Sequence, residues 1–354
     1  MAGLARFIKN IALSNLGELK VPYKMTFALT YRCQLRCDMC GIWKRPLSEE
    51  LSTEQIVGIL KKATSLSWIN LSGGEIFLRD DLPEILSAIA RYCRGVYLLN
   101  FPTNGYQPDT VVDTIKTVLK DPDIPKVKVS VSIDGPPRLH DRIRNTPGSW
   151  DRAVETYRRL RLLENARFGV YFGMTLQAAN LHAFPETVYA VQERIGDMHP
   201  RDFHVNIAHL SGHYYNNSQC SGIMPETSSV RERLAELDRL RQDPLLHPVG
   251  FLERRYRRLA RCFLDSGRTP VPCQALSASF FMDPDGTVYP CTIFDRPIGN
   301  MSDFGYRLDR LWESEKRRMT RDTVRRGDCP QCWTPCEAYQ GILANLVPVS
   351  RIGR

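Results

Sequence analysis

The stretch KMTFALTYRCQLRCDMCGIW, from Lys24 to Trp43, carries the first decision about the fold. Its opening seven residues read as a β-rich run that stops just short of three cysteines. Cys33, Cys37 and Cys40 fall within eight residues, separated by three residues and then by two. A structural zinc site usually takes four ligands and is closed on all sides, whereas this segment offers three thiols and no nearby histidine. A strand that ends in an incomplete ligand set directs attention to what else reaches that strand end.

Five more β-rich runs follow at intervals filled by helix-period segments: WINLSGG from Trp68, VYLLNF from Val96, VKVSVSID from Val127, FGVYFGMT from Phe168 and DFHVNIA from Asp202. Ile56, Leu60 and Ala63, then Leu82, Ile85, Leu86 and Ile89, then Val111, Ile115 and Leu119 stand at helical spacing between them. Strand and helix in alternation feed a parallel sheet. Right-handed crossovers curl such a sheet, and six units are too few to close an eight-stranded barrel, so the fold class is α/β with a partial (βα)6 TIM-like barrel. The special residues gather at the strand C-termini: the cysteines after the first, Gly73, Gly74 and Glu75 after the second, Thr103, Asn104 and Gly105 after the third, Ser132 and Asp134 at the end of the fourth.

After the sixth run the composition changes. HLSGHYYNNSQCSG, from His209 to Gly222, reads as an irregular loop, and an Arg-rich helical stretch spans about Glu226 to Asp265. FFMDPDGTVYPC then reads as a hairpin turning at Asp283 to Gly286, followed by a helix near Leu308 to Thr320 and a last knot of cysteines. This gives an N-terminal helix over residues 1–21, the partial barrel over 22–222, a helical linker over 223–270 and a small α+β cluster-binding domain over 271–354. In the first segment Leu4, Phe7, Ile8, Ile11 and Leu16 share one helical face beside Arg6 and Lys9; packing across the barrel is the plainer reading and peripheral membrane contact the sharper one.

At 354 residues, with 43% hydrophobic and 25% charged residues, the chain can bury a sizeable core. No run approaches the length of a membrane span and no secretory signal opens the chain, so the expected compartment is the cytoplasm. Eleven cysteines, crowded at two ends with Cys93, Cys220 and Cys262 scattered as ordinary buried thiols, suit metal ligation in a reducing compartment better than disulfides. The net charge of +9 is densest in LERRYRRLAR, from Leu252 to Arg261, which reads as a solvated helix face; no nucleic-acid partner is expected.

Soft thiolates select iron clusters and zinc, and a four-iron cube normally needs four of them. Here the sequence resembles the radical S-adenosylmethionine (SAM) enzymes, whose three-cysteine motif has the spacing of CQLRCDMC. The resemblance implies a 4Fe-4S cluster on Cys33, Cys37 and Cys40 whose free iron is chelated by SAM. It implies that Gly73, Gly74 and Glu75 contact the SAM amino group, that Thr103 and Asn104 belong to the same site, and that Ser132 and Asp134 lie near the ribose and carboxylate, in a segment running to Arg144. Met39, before the third cysteine, stands where the family often has an aromatic and is expected to pack against the adenine.

Cys273 is followed after twelve residues by Gly286 and then by Cys291, and CPQCWTPC supplies Cys329, Cys332 and Cys336. This region resembles the auxiliary-cluster domain of SPASM and twitch enzymes, with five cysteines where the full SPASM pattern has seven. One auxiliary 4Fe-4S cluster is implied, preferably on Cys273, Cys291, Cys332 and Cys336, with Cys329 an alternative to Cys332. A zinc ribbon is the competing reading.

The resemblance implies reductive cleavage of SAM to a 5'-deoxyadenosyl radical that abstracts a hydrogen atom from a substrate, with the electron supplied by a donor such as flavodoxin or ferredoxin. His209, His213, Tyr214 and Tyr215 are the candidate catalytic residues, as groups able to transfer protons at the barrel mouth. About twenty residues precede the first strand, where peptide-modifying relatives carry a recognition domain. That favours a small or non-peptide metabolite over a peptide, unless a separate protein performs recognition. The non-enzymatic alternative is an iron-sulfur or zinc protein for electron transfer or assembly.

Overall fold

The computed structural model describes residues 2–46, 49–243 and 247–346. The chain opens with α1 (Ala2–Leu16) and then alternates β1 (Lys24–Thr30), α2 (Thr53–Lys62), β2 (Trp68–Gly73), α3 (Leu82–Tyr92), β3 (Leu98–Thr103), α4 (Pro108–Leu119) and β4 (Lys126–Ser132). α5 (Pro137–Arg144) and α6 (Ser149–Arg161) lead to β5 (Phe168–Leu176), α7 (Phe184–Ile195) and β6 (Phe203–Ile207). The remainder is α8 (Thr227–Arg241), α9 (Pro248–Ser266), β7 (Ser279–Met282), β8 (Thr287–Tyr289), β9 (Gly299–Asn300), α10 (Leu308–Trp312), α11 (Glu315–Arg326) and α12 (Pro335–Leu343).

The six expected strands are β1 to β6, all parallel and laid side by side in chain order. Their outward residues, among them Ile69, Leu99, Val127, Val129, Val131, Phe172 and Phe203, are buried under the crossover helices. A parallel sheet covered on both faces usually reads as continuous apolar sequence, yet here alternate positions are polar. Thr26, Asn70, Asn100 and Lys128 are register partners on four successive strands and therefore share one face. The barrel interior is thus polar at this level.

β7 pairs parallel with β1, and β8 and β9 continue the same sheet in antiparallel sense. The C-terminal hairpin is therefore continuous with the barrel sheet rather than separated from it by the helical linker. α9 and α12 bridge the remaining gap towards β6. Glu253 of α9 accepts from His204 of β6 (3.1 Å) and from the Tyr339 hydroxyl of α12, while Glu337 of α12 accepts from Ser279 of β7 (2.8 Å).

Three expectations change. LERRYRRLAR is not a wholly solvated face: Arg257 is 1% exposed and pairs with Asp238 (2.7 Å) and Asp243 (2.6 Å). On α1, Phe7 packs against Tyr23, Trp68 and Tyr97 beneath the barrel, whereas Leu4, Ile8 and Leu16 are exposed. Polar Asn10 and Ser14 share the inner side by bonding to Ser67 and to the Ile11 carbonyl, so the buried face follows hydrogen bonds as much as apolarity. Of the scattered cysteines only Cys93 is buried; Cys262 is exposed.

Burial alone would push the Glu253 carboxyl up, but His204, Arg241 and Tyr339 outweigh it and hold it down from 4.5 to about 2. Its stabilising contribution is complete above its unfolded value and is lost as pH falls from about 4.5 through about 2. Acid unfolding followed by circular dichroism should therefore show a shallower pH dependence in that window for Glu253→Gln; equal slopes would refute the assignment.

Candidate functional site

The cysteine loop leaves β1 and is held from below by the end of β2. Gly74 N–H donates to the Thr30 carbonyl (2.8 Å) and Glu75 N–H to that of Arg32 (2.9 Å). Gly73 has φ +132°, and a Cβ on Gly74 would stand 2.2 Å from the Arg32 oxygen. The two glycines are thus required by the close approach of the cysteine loop itself, before any ligand is considered.

Glu75 is buried and turns its carboxylate to the end of β3. It accepts from the Asn104 N–H (2.7 Å) and from the Thr103 hydroxyl (3.1 Å). Burial pushes its carboxyl up to about 7, against these hydrogen bonds. At the end of β4 the fully buried Asp134 takes the Arg144 guanidinium (2.7 Å to Nε) and the Thr175 N–H (3.0 Å). Ser132 stands beside it, opposite Gly173 of β5. Arg144 and Asn104 in turn face Cys37 and Cys33, at 3.8 and 3.9 Å from their sulfurs. All four strand ends named from the sequence therefore converge on the cysteine loop, and Met39 lies half-buried within it.

Burial raises the thiol pKa of Cys33 to about 11 and of Cys40 to about 12, and raises that of Cys37 as well. Among the described residues no three Cys, His, Asp or Glu side chains gather tightly enough for a single metal ion. A cuboidal cluster makes a different demand, since each thiolate binds its own iron. The donor set fits it: three soft sulfurs on one loop, each within the electrostatic reach of another, with N–H donors behind two of them.

The second cysteine group lies across the sheet. Cys291 and Cys332 are buried in one patch with Ala275, Ile293 and Val324, and Cys273 packs against it. Cys273 interacts electrostatically with both Cys332 and Cys329, and Cys332 with Cys329. Burial raises the thiol pKa of Cys336, opposed by Lys24 and reinforced by Glu337, and the same Lys24 also interacts with Cys273. Cys329 thus shares the electrostatic surroundings of Cys273 and Cys332, while Cys332 and Cys336 both act on Tyr215 and Tyr256, so all five cysteines lie in one neighbourhood.

The loop from His209 to Gly222 ties the two cysteine groups together. Gly41 N–H donates to the Tyr215 carbonyl (2.8 Å) and Asn217 to that of Met39 (2.9 Å); on the other side His213 Nε2 donates to the Cys291 carbonyl (2.9 Å). His209 donates from Nδ1 to the Ile207 carbonyl (2.8 Å) and accepts at Nε2 from Trp333 N–H (3.1 Å), so both ring nitrogens are committed. Burial lowers the pKa of His209, and lowers that of His213 to about 4. The Tyr214 hydroxyl meets Ser72 and Gly73 N–H. All three side chains are tied into the scaffold by hydrogen bonds. The Tyr215 ring packs on the Cys40 side and on the Cys291 side alike.

Sequence reasoning missed Lys24 and Glu337. Lys24 opens a strand and resembles an ordinary surface lysine in sequence; only the distant α12 makes it a buried cation. Asn217 was missed as well, although its place in the polar run after Tyr215 is the kind of position from which a side chain caps a loop.

Comparison with known proteins follows this geometry. The family model described as "Radical SAM superfamily" matches residues 27–188, and SPASM, described as an iron-sulfur cluster-binding domain, matches residues 273–337. The chain is similar to the antilisterial bacteriocin subtilosin biosynthesis protein AlbA of Bacillus subtilis (strain 168), 23% identical over 90% of this chain and 68% of that protein. It is similar to the sporulation killing factor maturation protein SkfB of the same organism, 28% identical over 48% of this chain and 39% of that one. Among solved structures, Streptococcus suis SuiB bound to precursor peptide SuiA superposes with a TM-score of 0.59 at 14% identity, covering 90% of this chain and 70% of that one. At that identity the likeness speaks for the fold, a partial TIM barrel.

Proposed function

We propose, on the premise that this chain belongs to the radical SAM superfamily and carries a SPASM iron-sulfur domain, that its substrate is a peptide. SAM, the SAM-binding 4Fe-4S cluster and auxiliary iron-sulfur chemistry are its cofactors. When bound, the cluster and SAM supply a 5'-deoxyadenosyl radical by reductive cleavage of a carbon-sulfur bond. This chain's residues hold the parts in place: Cys33, Cys37 and Cys40 as ligands, Gly73 to Glu75, Thr103, Asn104, Ser132, Asp134 and Arg144 around SAM, and Met39 against the adenine. Cys273, Cys291, Cys332 and Cys336, with Cys329 an alternative to Cys332, hold the auxiliary cluster, and the polar level at Thr26, Asn70, Asn100 and Lys128 accepts part of the substrate.

The observation that carries the peptide reading is the extent of the likeness to AlbA, which covers 90% of this chain. SkfB is likewise a maturation protein, and SuiB is crystallised on a precursor peptide. The preference for a small metabolite rested on the short segment before β1, and a separate recognition protein removes that objection. A flavodoxin or ferredoxin is the proposed reductant. No helix among the described residues is long and apolar enough to cross a membrane.

The test is anaerobic turnover with SAM and dithionite in the presence of short peptides encoded beside the gene. A peptide whose mass changes in step with 5'-deoxyadenosine formation supports the reading. Formation of 5'-deoxyadenosine coupled only to change in a small metabolite refutes it.

A further inference from the structure

We infer that Asn104 and Arg144 set the reduction potential of the SAM-binding cluster by donating N–H bonds to two of its three thiolates. The inference rests on the reading of Cys33, Cys37 and Cys40 as cluster ligands. Asn104 Nδ2 lies 3.9 Å from Cys33 Sγ and Arg144 Nη1 lies 3.8 Å from Cys37 Sγ, lengths suited to hydrogen bonds on sulfur. Cys40 differs, since its donor is the backbone at Ile42. Only two of the three ligands can therefore be adjusted by a side chain.

Both donors are fixed from behind. Asn104 Oδ1 accepts from Tyr106 N–H (2.9 Å), which commits the oxygen and leaves the amide NH2 facing the sulfur. The same NH2 reaches Gln34 Oε1 (3.3 Å). Arg144 is the last residue of α5, and Asn145 caps that helix in the left-handed conformation, φ 49°. Its Nε and Nη2 are both engaged by Asp134 (2.7 and 2.5 Å), leaving Nη1 to point at Cys37. Asp134 cannot swing away, because its other oxygen holds Thr175 N–H (3.0 Å) in a fully buried setting.

An electron entering an iron-sulfur cluster spreads negative charge onto its sulfurs. Donors aimed at those sulfurs stabilise the reduced form more than the oxidised one and raise the potential. Asp134 offsets much of the guanidinium charge, so Cys37 feels chiefly a directed N–H dipole. Two residues set around SAM by family likeness thus act on the cluster as well, as outer partners orienting and tuning first ligands.

The experiment is an EPR-monitored redox titration of the full chain, reconstituted with its clusters and without SAM. It compares wild type, Asn104→Asp, Arg144→Gln and Arg144→Lys. Asn104→Asp keeps an acceptor for Tyr106 N–H while replacing the donor on Cys33. The reduction equilibrium of the SAM-responsive cluster should move at least tenfold against reduction, about 59 mV for one electron, in Asn104→Asp and Arg144→Gln. Arg144→Lys should recover part of that shift, and the auxiliary potential should stay fixed throughout. A residue that serves SAM alone leaves a potential measured without SAM unchanged, so unchanged potentials at full iron and sulfide content overturn the inference. If Arg144→Gln fails to hold a cluster, Asn104→Asp decides. Failure of the underlying ligation reading shows separately, as a SAM-responsive signal that survives in Cys33→Ala.

Discussion

We expect Cys37→Ala to abolish 5'-deoxyadenosine formation, and Cys291→Ala to leave it in place while impairing turnover of the proposed peptide substrate. Cys37 is 8% exposed, the most buried of the three N-terminal cysteines, and its loop is anchored on α5 by the Asp38 N–H to the Ile143 carbonyl (3.0 Å). A cube held by three protein thiolates has no spare ligand, so removing one removes the cluster and with it the whole of the catalysed cleavage, a loss of about 10⁶-fold or more for an enzymatic rate. Asn104 and Cys33 stay on their own strand ends, so the fold persists around the missing atom. Cys291 lies in the separate apolar patch with Cys332, and its variant is expected to disable only the later step assigned to the proposed auxiliary cluster. Iron content and chromatography of the nucleoside products check both. Wild-type levels of 5'-deoxyadenosine from Cys37→Ala would remove the basis for the site.

The strand and crossover pattern was legible because buried parallel strands and amphipathic helices impose different periods on short windows, and the three-cysteine spacing was legible because it is local. What escaped depends on contacts distant in the chain or on single stop signals. The helix expected from Leu308 to Thr320 is interrupted at Ser314, whose hydroxyl caps α11 by accepting from Arg317 N–H (3.2 Å). The stretch from Glu226 to Asp265 breaks at Gln242, which adopts φ 46°, before Pro248 starts α9. Pairing of β7 with β1 joins segments about 250 residues apart, and a hairpin pattern reports only its local partner. The histidines of the loop after β6 drew attention by their chemistry, but sequence gives no sign that Ile207, Trp333 and Cys291 already occupy their nitrogens. Equally, nothing in TNG or in the arginine that closes α5 announces a bond to sulfur.

Lys24→Met should destabilise the protein by about 1–3 kcal/mol, the usual cost of leaving buried acceptors without their donor. Lys24 is 0% exposed at the start of β1, with Nζ 2.8 Å from Gln340 Oε1, bonded to the Cys336 carbonyl and 4.5 Å from the Trp68 ring centre. Its charge opposes the effect of burial on Glu337, whose carboxylate is held by Ser279 and Gln340. Removing the ammonium leaves that carboxylate in the joint between β1, β7 and α12, where the auxiliary-cluster region meets the barrel. If the charge on Glu337 is the cause, Lys24→Met with Glu337→Gln should recover most of the loss, because a neutral side chain has no charge left to solvate. Urea unfolding of the two variants separates the causes. A double variant no more stable than Lys24→Met would mean that the packing of the lysine stem against Trp68, rather than charge, holds the two regions together.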